Sequence, residues 1–343
     1  RLKASAAKKL KLVAPYAGDR FQAILDGEPI ATVGLGPGVD DPMAFTLPVK
    51  KGEHDLVLLA ENMGRFAGGV RLGEKKGVYG HLWEPAAFKV AKPKVEQGDP
   101  IDPLAFIAPL WEHRVGDATH PDRVTWSFTH RRKSPLIITI NEAPGRTLVL
   151  LNDEPITFIE RGATERLSLD QETLKRGANT LQLALLPESV DAEAEAEAFV
   201  KAAPGSVEII EAATCATEKA EWAFAKWESP APSLFESISK AAMSQRRGPT
   251  WWRTTFTDAP TDRPVYLDAT GLTKGRIVLN DQDLGRYFVA TSDGKPVPPQ
   301  SMVLLPAVWL EADRANELLV FDEHGGNPGK CKLVVGAPDT IEA

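Results

Sequence analysis

Cysteine is nearly absent, with two thiols in 343 residues. Two cysteines build neither a disulfide framework nor a zinc site, so Cys215 and Cys331 read as buried free thiols in strands of different regions. No stretch approaches the roughly 18 apolar residues of a membrane-crossing helix, and no signal peptide is recognisable. An excess of positive charge is also missing. The formal net charge is −7, and no basic stripe is present to meet a phosphate backbone. Neither nucleic acid nor a membrane is therefore expected as a partner. The short runs Lys8-Lys9, Arg131-Arg132-Lys133 and Arg246-Arg247 read as solvated charges at loop or strand ends.

Signatures of catalysis and metal binding are missing as well. There is no G-x-S-x-G elbow, and the six histidines (54, 81, 113, 120, 130 and 324) are scattered through expected loops. His120 and His130 share no ligand spacing with a cysteine or another histidine, which argues against zinc. Gly34-Leu35-Gly36-Pro37-Gly38 lacks the Lys-Ser/Thr and the helix of a phosphate loop and reads as a β-turn. The acidic pairs Asp40-Asp41 and Asp322-Glu323 have no EF-hand spacing. No cofactor, metal or catalytic residue is assigned from these patterns.

What the chain does have is one pattern written three times, at intervals of roughly 127 positions. Residues 21–62, 147–186 and 275–323 each hold an alternating apolar run, a two-residue turn and a second strand. The turns are Asp26-Gly27, Asn152-Asp153 and Asn280-Asp281. A further turn signal (Lys51-Gly52, Arg176-Gly177, Asp313) then precedes a last apolar strand. The period is too long for a solenoid unit and suits a small β-sandwich. Apolar content of 43% and charged content of 25% are those of an ordinary globular chain. The expected fold class is all-β, three antiparallel β-sandwich domains with a few short helices, over residues 1–93, 94–215 and 216–343.

Lead-in segments rich in tryptophan precede the second and third copies. Residues 109–128 correspond to a split pair in the third copy, Lys226–Pro230 and Pro249–Phe256. Trp111, Trp126 and Trp227 recur at matching places, as core residues would. The first copy starts one strand late, at Lys9–Val13, which leaves an edge to be filled by residues ahead of Arg1 or by another segment. A surface helix is expected over 187–203 and an amphipathic one over 232–246, with a proline-rich linker over 91–108. Trp251 and Trp252 are adjacent in a strand, so their side chains point to opposite faces. One belongs to the core. The other is an interdomain contact or a flat platform for a sugar ring.

Residues 253–290 (RTTFTDAPTDRPVYLDATGLTKGRIVLNDQDLGRYFVA), with VLLPAVW at 303–309 and NELLVFDE at 316–323, resemble a known sequence pattern. It is that of the carboxy-terminal galactose-binding-like jelly roll of the family thirty-five β-galactosidases. Residues 55–80, with L-x-x-L-x-E-N-M-G-R and K-G-x-x-G, resemble that family's preceding β-domain. The resemblance is strong over 20–85 and 250–330 and weak over 95–245. It implies galactose-binding-like sandwiches, galactose-containing glycans as ligands, and a catalytic (β/α)₈ barrel on the same parent chain or an associated one. Arg65 and Arg286 each follow a glycine and could tie a sandwich to a neighbour or contact sugar. A barrel needs about 250 residues of alternating strand and helix, and this chain has no room for one. It is therefore expected to be non-catalytic alone, the accessory region of a retaining glycosidase. A free-standing carbohydrate-binding array and a structural adhesion protein are the alternatives. Extracellular, periplasmic and cytoplasmic locations all fit.

Overall fold

The computed structural model describes residues 1–64, 75–97, 122–188, 191–225 and 228–336. The first copy contributes β1 (Leu2–Ala4), β2 (Lys8–Val13), β3 (Ala17–Gly18), β4 (Arg20–Leu25), β5 (Glu28–Gly34), β6 (Ala44–Val49), β7 (Gly52–His54), β8 (Leu56–Glu61), β9 (Gly77–Val78) and β10 (Trp83–Ala87). The second contributes β11 (Lys94–Gln97), β12 (Asp122–His130), β13 (Leu136–Ile140), β14 (Thr147–Leu151), β15 (Glu154–Ile159), β16 (Glu165–Leu169), β17 (Gly177–Leu185) and β18 (Val207–Cys215). The third runs through β19 (Thr250–Phe256), β20 (Val265–Asp268), β21 (Lys274–Leu279), β22 (Gln282–Phe288), β23 (Met302–Leu305), β24 (Asn316–Asp322) and β25 (Lys332–Val335).

The repeat in sequence is a repeat in topology. The third copy forms sheets in the order β19-β24-β21-β22 and β23-β20-β25. The second keeps both orders as β12-β17-β14-β15, with β11 added beside β12, and β16-β13-β18. The first shows β5-β4-β8 and β6-β2-β10, the same orders without a full lead strand. Its remnant is β1, where Leu2 pairs with His54 as Phe128 pairs with Asn179 and Phe256 with Asn316.

Local chemistry explains why these segments recur. Each hairpin turn has two residues at positive φ: Asp26 and Gly27, Asn152 and Asp153, Asn280 and Asn280's neighbour Asp281. That backbone twist matches the strands on either side. The turn residue then reaches across to the last strand. Asn152 Nδ2 donates to Asn179 Oδ1 at 3.0 Å, and Asn152 Oδ1 accepts from Thr180 N. In the third copy Asn280 Nδ2 donates to Asn316 Oδ1 at 2.8 Å and Asn280 Oδ1 accepts from Glu317 N. In the first copy Asp26 accepts from the amide of Asp55, and His54 Nε2 lies 2.9 Å from the Lys50 carbonyl oxygen. A bulge falls at Val149/Leu150 and again at Ile277/Val278.

The chain divides into two compact units. Unit 1 comprises Arg1–Phe21, Asp41–His54 and Leu58–Ala220; unit 2 comprises Gln22–Asp40, Asp55–Val57 and Glu221–Ala343. These units cut across the repeat, because residues 22–40 of the first copy are grouped with the third. Within unit 1, β10 pairs with β18, so the two smaller sheets join as β16-β13-β18-β10-β2-β6. The main core of unit 1 lies between the second copy's two sheets, around Trp126, Phe128, Ile138, Leu181 and Leu183. That of unit 2 lies around Trp252, Leu267, Ile277, Leu279 and Val320.

Helix is sparse and differs from expectation. Helix α1 (Ala192–Ser206) is capped by Asp191, and it buries Phe199 and Ala203 against the unit 1 core. It starts five residues later than the expected helix and ends three later, at 15 residues, and it is partly buried because that apolar face packs on the core. The amphipathic helix expected over 232–246 does not form. Pro232–Leu234 is a 3₁₀ turn, α2 spans only Lys240–Met243, and Leu234 is exposed. Of the expected linker, residues 94–97 form β11 on the edge of β12; residues 98–108 lie outside the described residues, as do Trp111 and Trp227.

Candidate functional site

Adjacent residues of β19 serve opposite faces of the third sandwich. Trp252 turns inward and is buried in the core, so it cannot offer a face to a ligand in this packing. Trp251 turns outward, half-buried, with its ring tilted 51° against Phe321 at a centroid distance of 5.3 Å. The register carries that outer row across all four strands. Trp251 is opposite Phe321, Phe321 opposite Arg276, and Arg276 opposite Arg286. Residues in cross-strand register lie side by side on one face, so Trp251 and Arg286 belong to a single row.

The neighbouring row, Arg253–Leu319–Val278–Asp283, is apolar at its centre and charged at both ends. Arg276 pairs with Asp283, and Arg253 pairs with Glu317. Burial raises the Asp283 carboxyl pKa, but the hydrogen bonds from Arg276 and the Gly285 amide outweigh it and bring the pKa below its ordinary value. The face thus has an aromatic side, Trp251 on an edge strand over the buried Phe321, and guanidinium and carboxylate groups beside it. Arg286 is exposed within β22, not at a strand end, and Gly285 before it has φ +99°. Gly275 needs no unusual angle. It is in mid-strand, where a Cβ would come within 1.8 Å of the Phe321 carbonyl oxygen.

The inner face carries a second polar arrangement. Asp322 is fully buried and accepts from Thr273 N (2.7 Å), Thr273 Oγ1 (2.6 Å), Tyr287 Oη (2.8 Å), His324 N (3.0 Å) and Gly326 N (2.8 Å). On the opposite face, the one that Arg276 and Phe321 occupy, Lys274 Nζ is 2.7 Å from Glu323 Oε1, both groups buried, with the ammonium also over the Phe288 ring. Burial and then the Asp322 charge push the Tyr287 hydroxyl pKa well above its ordinary value. The Cys331 thiol is pushed up to about 12 by burial, then by Asp268 and Asp322. A carboxylate accepting this many bonds is locked in place. Its chemistry is support for the end of the sandwich.

Of the sequence-predicted residues, the structure sets Trp251 and Arg286 in one row but on opposite edge strands of the sheet, and places Trp252 on the opposite face. Arg65 lies outside the described residues. Sequence reasoning missed Phe321, Arg276 and Asp283. The turn alone does not reveal them: counting back from Asn280-Asp281 sets Arg276 opposite Gly285, and only the bulge at Ile277/Val278 brings Arg276 opposite Arg286. Among the described residues no group of three or more histidine, cysteine, aspartate or glutamate side chains could hold a metal ion.

Residues 249–316 match the family model of the beta-galactosidase galactose-binding domain. That stretch of the chain is similar to the galactose-binding domain of β-galactosidases. Beta-galactosidase 7 of Oryza sativa subsp. japonica is 34% identical over 79 residues, covering 23% of this chain and 10% of that protein. Beta-galactosidase 8 of Arabidopsis thaliana is 30% identical over 116 residues, covering 27% of this chain and 13% of that protein. The chain therefore spans only a small fraction of these relatives. Among solved structures, a rhamnosidase from Novosphingobium sp. PP1Y aligns with 61% of this chain and 22% of its own, at 17% identity. Its TM-score of 0.19 carries no weight for the fold. The galactose-binding-like sandwich, by contrast, contains all of β20 to β22, and with them Arg276, Asp283 and Arg286.

Proposed function

We propose that this chain is the non-catalytic, sugar-recognising β-sandwich part of a β-galactosidase-like glycoside hydrolase. Its partner would be a catalytic (β/α)₈ barrel on the same parent chain or an associated one. Retaining hydrolysis needs two carboxyl groups roughly 5–5.5 Å apart, one free to donate a proton. In the galactose-binding-like sandwich, Asp322 and Glu323 are instead tied to buried donors. The observation that carries the proposal is the outer row Trp251–Phe321–Arg276–Arg286, of which Trp251, Arg276 and Arg286 lie within the matched residues 249–316. An aromatic face meets the C–H side of a pyranose, while guanidinium and carboxylate groups at the rim take its hydroxyls.

Calorimetric titration with galactose and galacto-oligosaccharides tests the reading, alongside an assay with a nitrophenyl galactoside. Saturable binding without turnover is expected. Trp251→Ala should weaken that binding about threefold to tenfold, the worth of one aromatic contact, with thermal stability little changed. Turnover by the pure chain, or binding indifferent to Trp251 and Arg286, would sink the proposal. A specific observation favours a second reading, in which this face only packs. Phe321 and Leu319 are 5% and 6% exposed. Within unit 2 the hairpin of residues 22–40 is close by, with Pro29 against Gly248 and Gln22 Nε2 3.2 Å from His324 Nδ1. No titratable sugar heat, together with loss of stability in Trp251→Ala, would select it.

A further inference from the structure

The smaller sheet of a sandwich has one face turned away from the core. In the second copy that face carries the rows Ser168–Ile137–Ile210 and Arg166–Thr139–Glu208 across β16, β13 and β18. It is covered within unit 1. Ile137 is 1% exposed and clusters with Ala212 and with Val13, Met43 and Ala44 of the first copy. Ser168 Oγ donates to the Pro15 carbonyl oxygen at 2.7 Å, and Arg166 is 3.3 Å from Asp41. One copy's face thus closes on its neighbour copy. In the third copy the matching rows across β23, β20 and β25 are Leu304–Tyr266–Val334 and Met302–Asp268–Lys332. Leu304 is 51% exposed, and Tyr266, Met302 and Val334 are half-buried. Leucine and methionine stand where the covered face has serine and arginine, so the more apolar face is the one that meets solvent.

We propose that this face of the third sandwich, built from β23, β20 and β25, docks on the same face of a second copy of the chain. Three observations select that occupant. The repeat already uses this face to pack one copy on another, as the cluster of Ile137 and Val13 demonstrates. A patch that meets its own twin about a two-fold axis must complement itself. Here an apolar row lies beside the register pair Asp268 and Lys332, whose charges cancel. The chain as a whole carries −7, so two copies approach with least repulsion through a face without net charge. Three short strands offer less than the roughly 800 Å² per partner of a stable complex, so the association is weak. The face belongs to the sheet opposite the one that holds Trp251, and the inference is independent of any sugar.

Sedimentation equilibrium of the chain from about 10 μM to about 1 mM tests the face. The average mass should rise with concentration from that of one chain toward that of two, equally with and without galactose. Leu304→Asp and Met302→Asp each set a carboxylate on the docking face. Each should weaken the association at least about tenfold, while Tm stays within about 2 °C because neither side chain belongs to the core. Leu35→Asp, a matched change at an exposed position of the same unit, should leave the association intact. The proposal is overturned by the mass of a single chain up to about 1 mM, by association indifferent to both face variants, or by association that Leu35→Asp weakens equally.

Discussion

Leu185 and Asp322 occupy the same position of the repeat, near the end of an interior strand, yet one is oil and the other a charge. The difference extends across the sheet. In the second copy Leu185 is opposite Thr147, and Thr147 opposite Ile159. In the third, Asp322 is opposite Gly275, and Gly275 opposite Tyr287. A row that is mostly apolar in one sandwich has become a carboxylate, a bare backbone position and a phenol in the other. Glycine lets the Phe321 carbonyl come close, and Tyr287 then reaches both that carbonyl (3.0 Å) and Asp322. One topology therefore tolerates either chemistry, provided the whole row changes together.

Swapping single residues breaks that agreement, and the largest effect is expected at the carboxylate. Asp322→Leu leaves the Thr273 hydroxyl and three amides without their acceptor, costing at least about 4 kcal/mol by urea unfolding. Leu185→Asp should cost a similar amount, because no donors wait for it. An unchanged midpoint in either variant would show that the rows are interchangeable. Gly275→Thr comes next. Its Cβ meets a backbone carbonyl that cannot step aside, so a loss of about 3 kcal/mol or more is expected. The reverse change, Thr147→Gly, should cost roughly 1 kcal/mol from chain entropy and the lost Thr147 Oγ1 bond to Gly145.

The asparagine latches provide a smaller contrast. Asn316→Ala and Asn179→Ala should each cost about 2 kcal/mol, since each removes a buried asparagine that bonds both the turn residue and the backbone beside it. His54→Asn, which would give the first copy the common latch residue, should change stability by less than about 1 kcal/mol. Equal losses in all three variants would erase the distinction between copies. The smallest effect is chemical. With its thiol pKa pushed up to about 12, Cys331 stays protonated at pH 8, and alkylation requires the thiolate. Iodoacetamide should label it far more slowly in the folded chain than in urea; equal rates would show that burial does not protect it.

These contrasts also show how much of the structure could be read from sequence. The turns, the alternation and the repeat were legible because they are local: Asn152-Asp153 and Asn280-Asp281 declare a hairpin without help from the rest of the chain. The all-β architecture followed. The latch between Asn280 and Asn316 was not legible, since it spans 36 positions and a lone Asn before a strand signals little. Nor was the seam between β10 and β18, which depends on which of several edges meet. The 232–246 segment failed for a related reason. Its apolar spacing suits a helix, but Leu234 finds no surface to cover, and helices this short depend on packing. At the candidate site, tryptophan content pointed to Trp251, while Phe321 and Arg276 became visible only through strand register.

The β10–β18 seam has a consequence for how the chain comes apart. Five register pairs join the first copy to the second, from Trp83 opposite Cys215 to Ala87 opposite Ile210, with a bulge between Glu84 and Pro85. Heat that loosens Trp83–Ala87 therefore also strips partners from the strand that holds Leu136–Ile140. In a calorimeter the two copies should melt as one transition, so the unit of repetition and the unit of cooperativity are different lengths of chain.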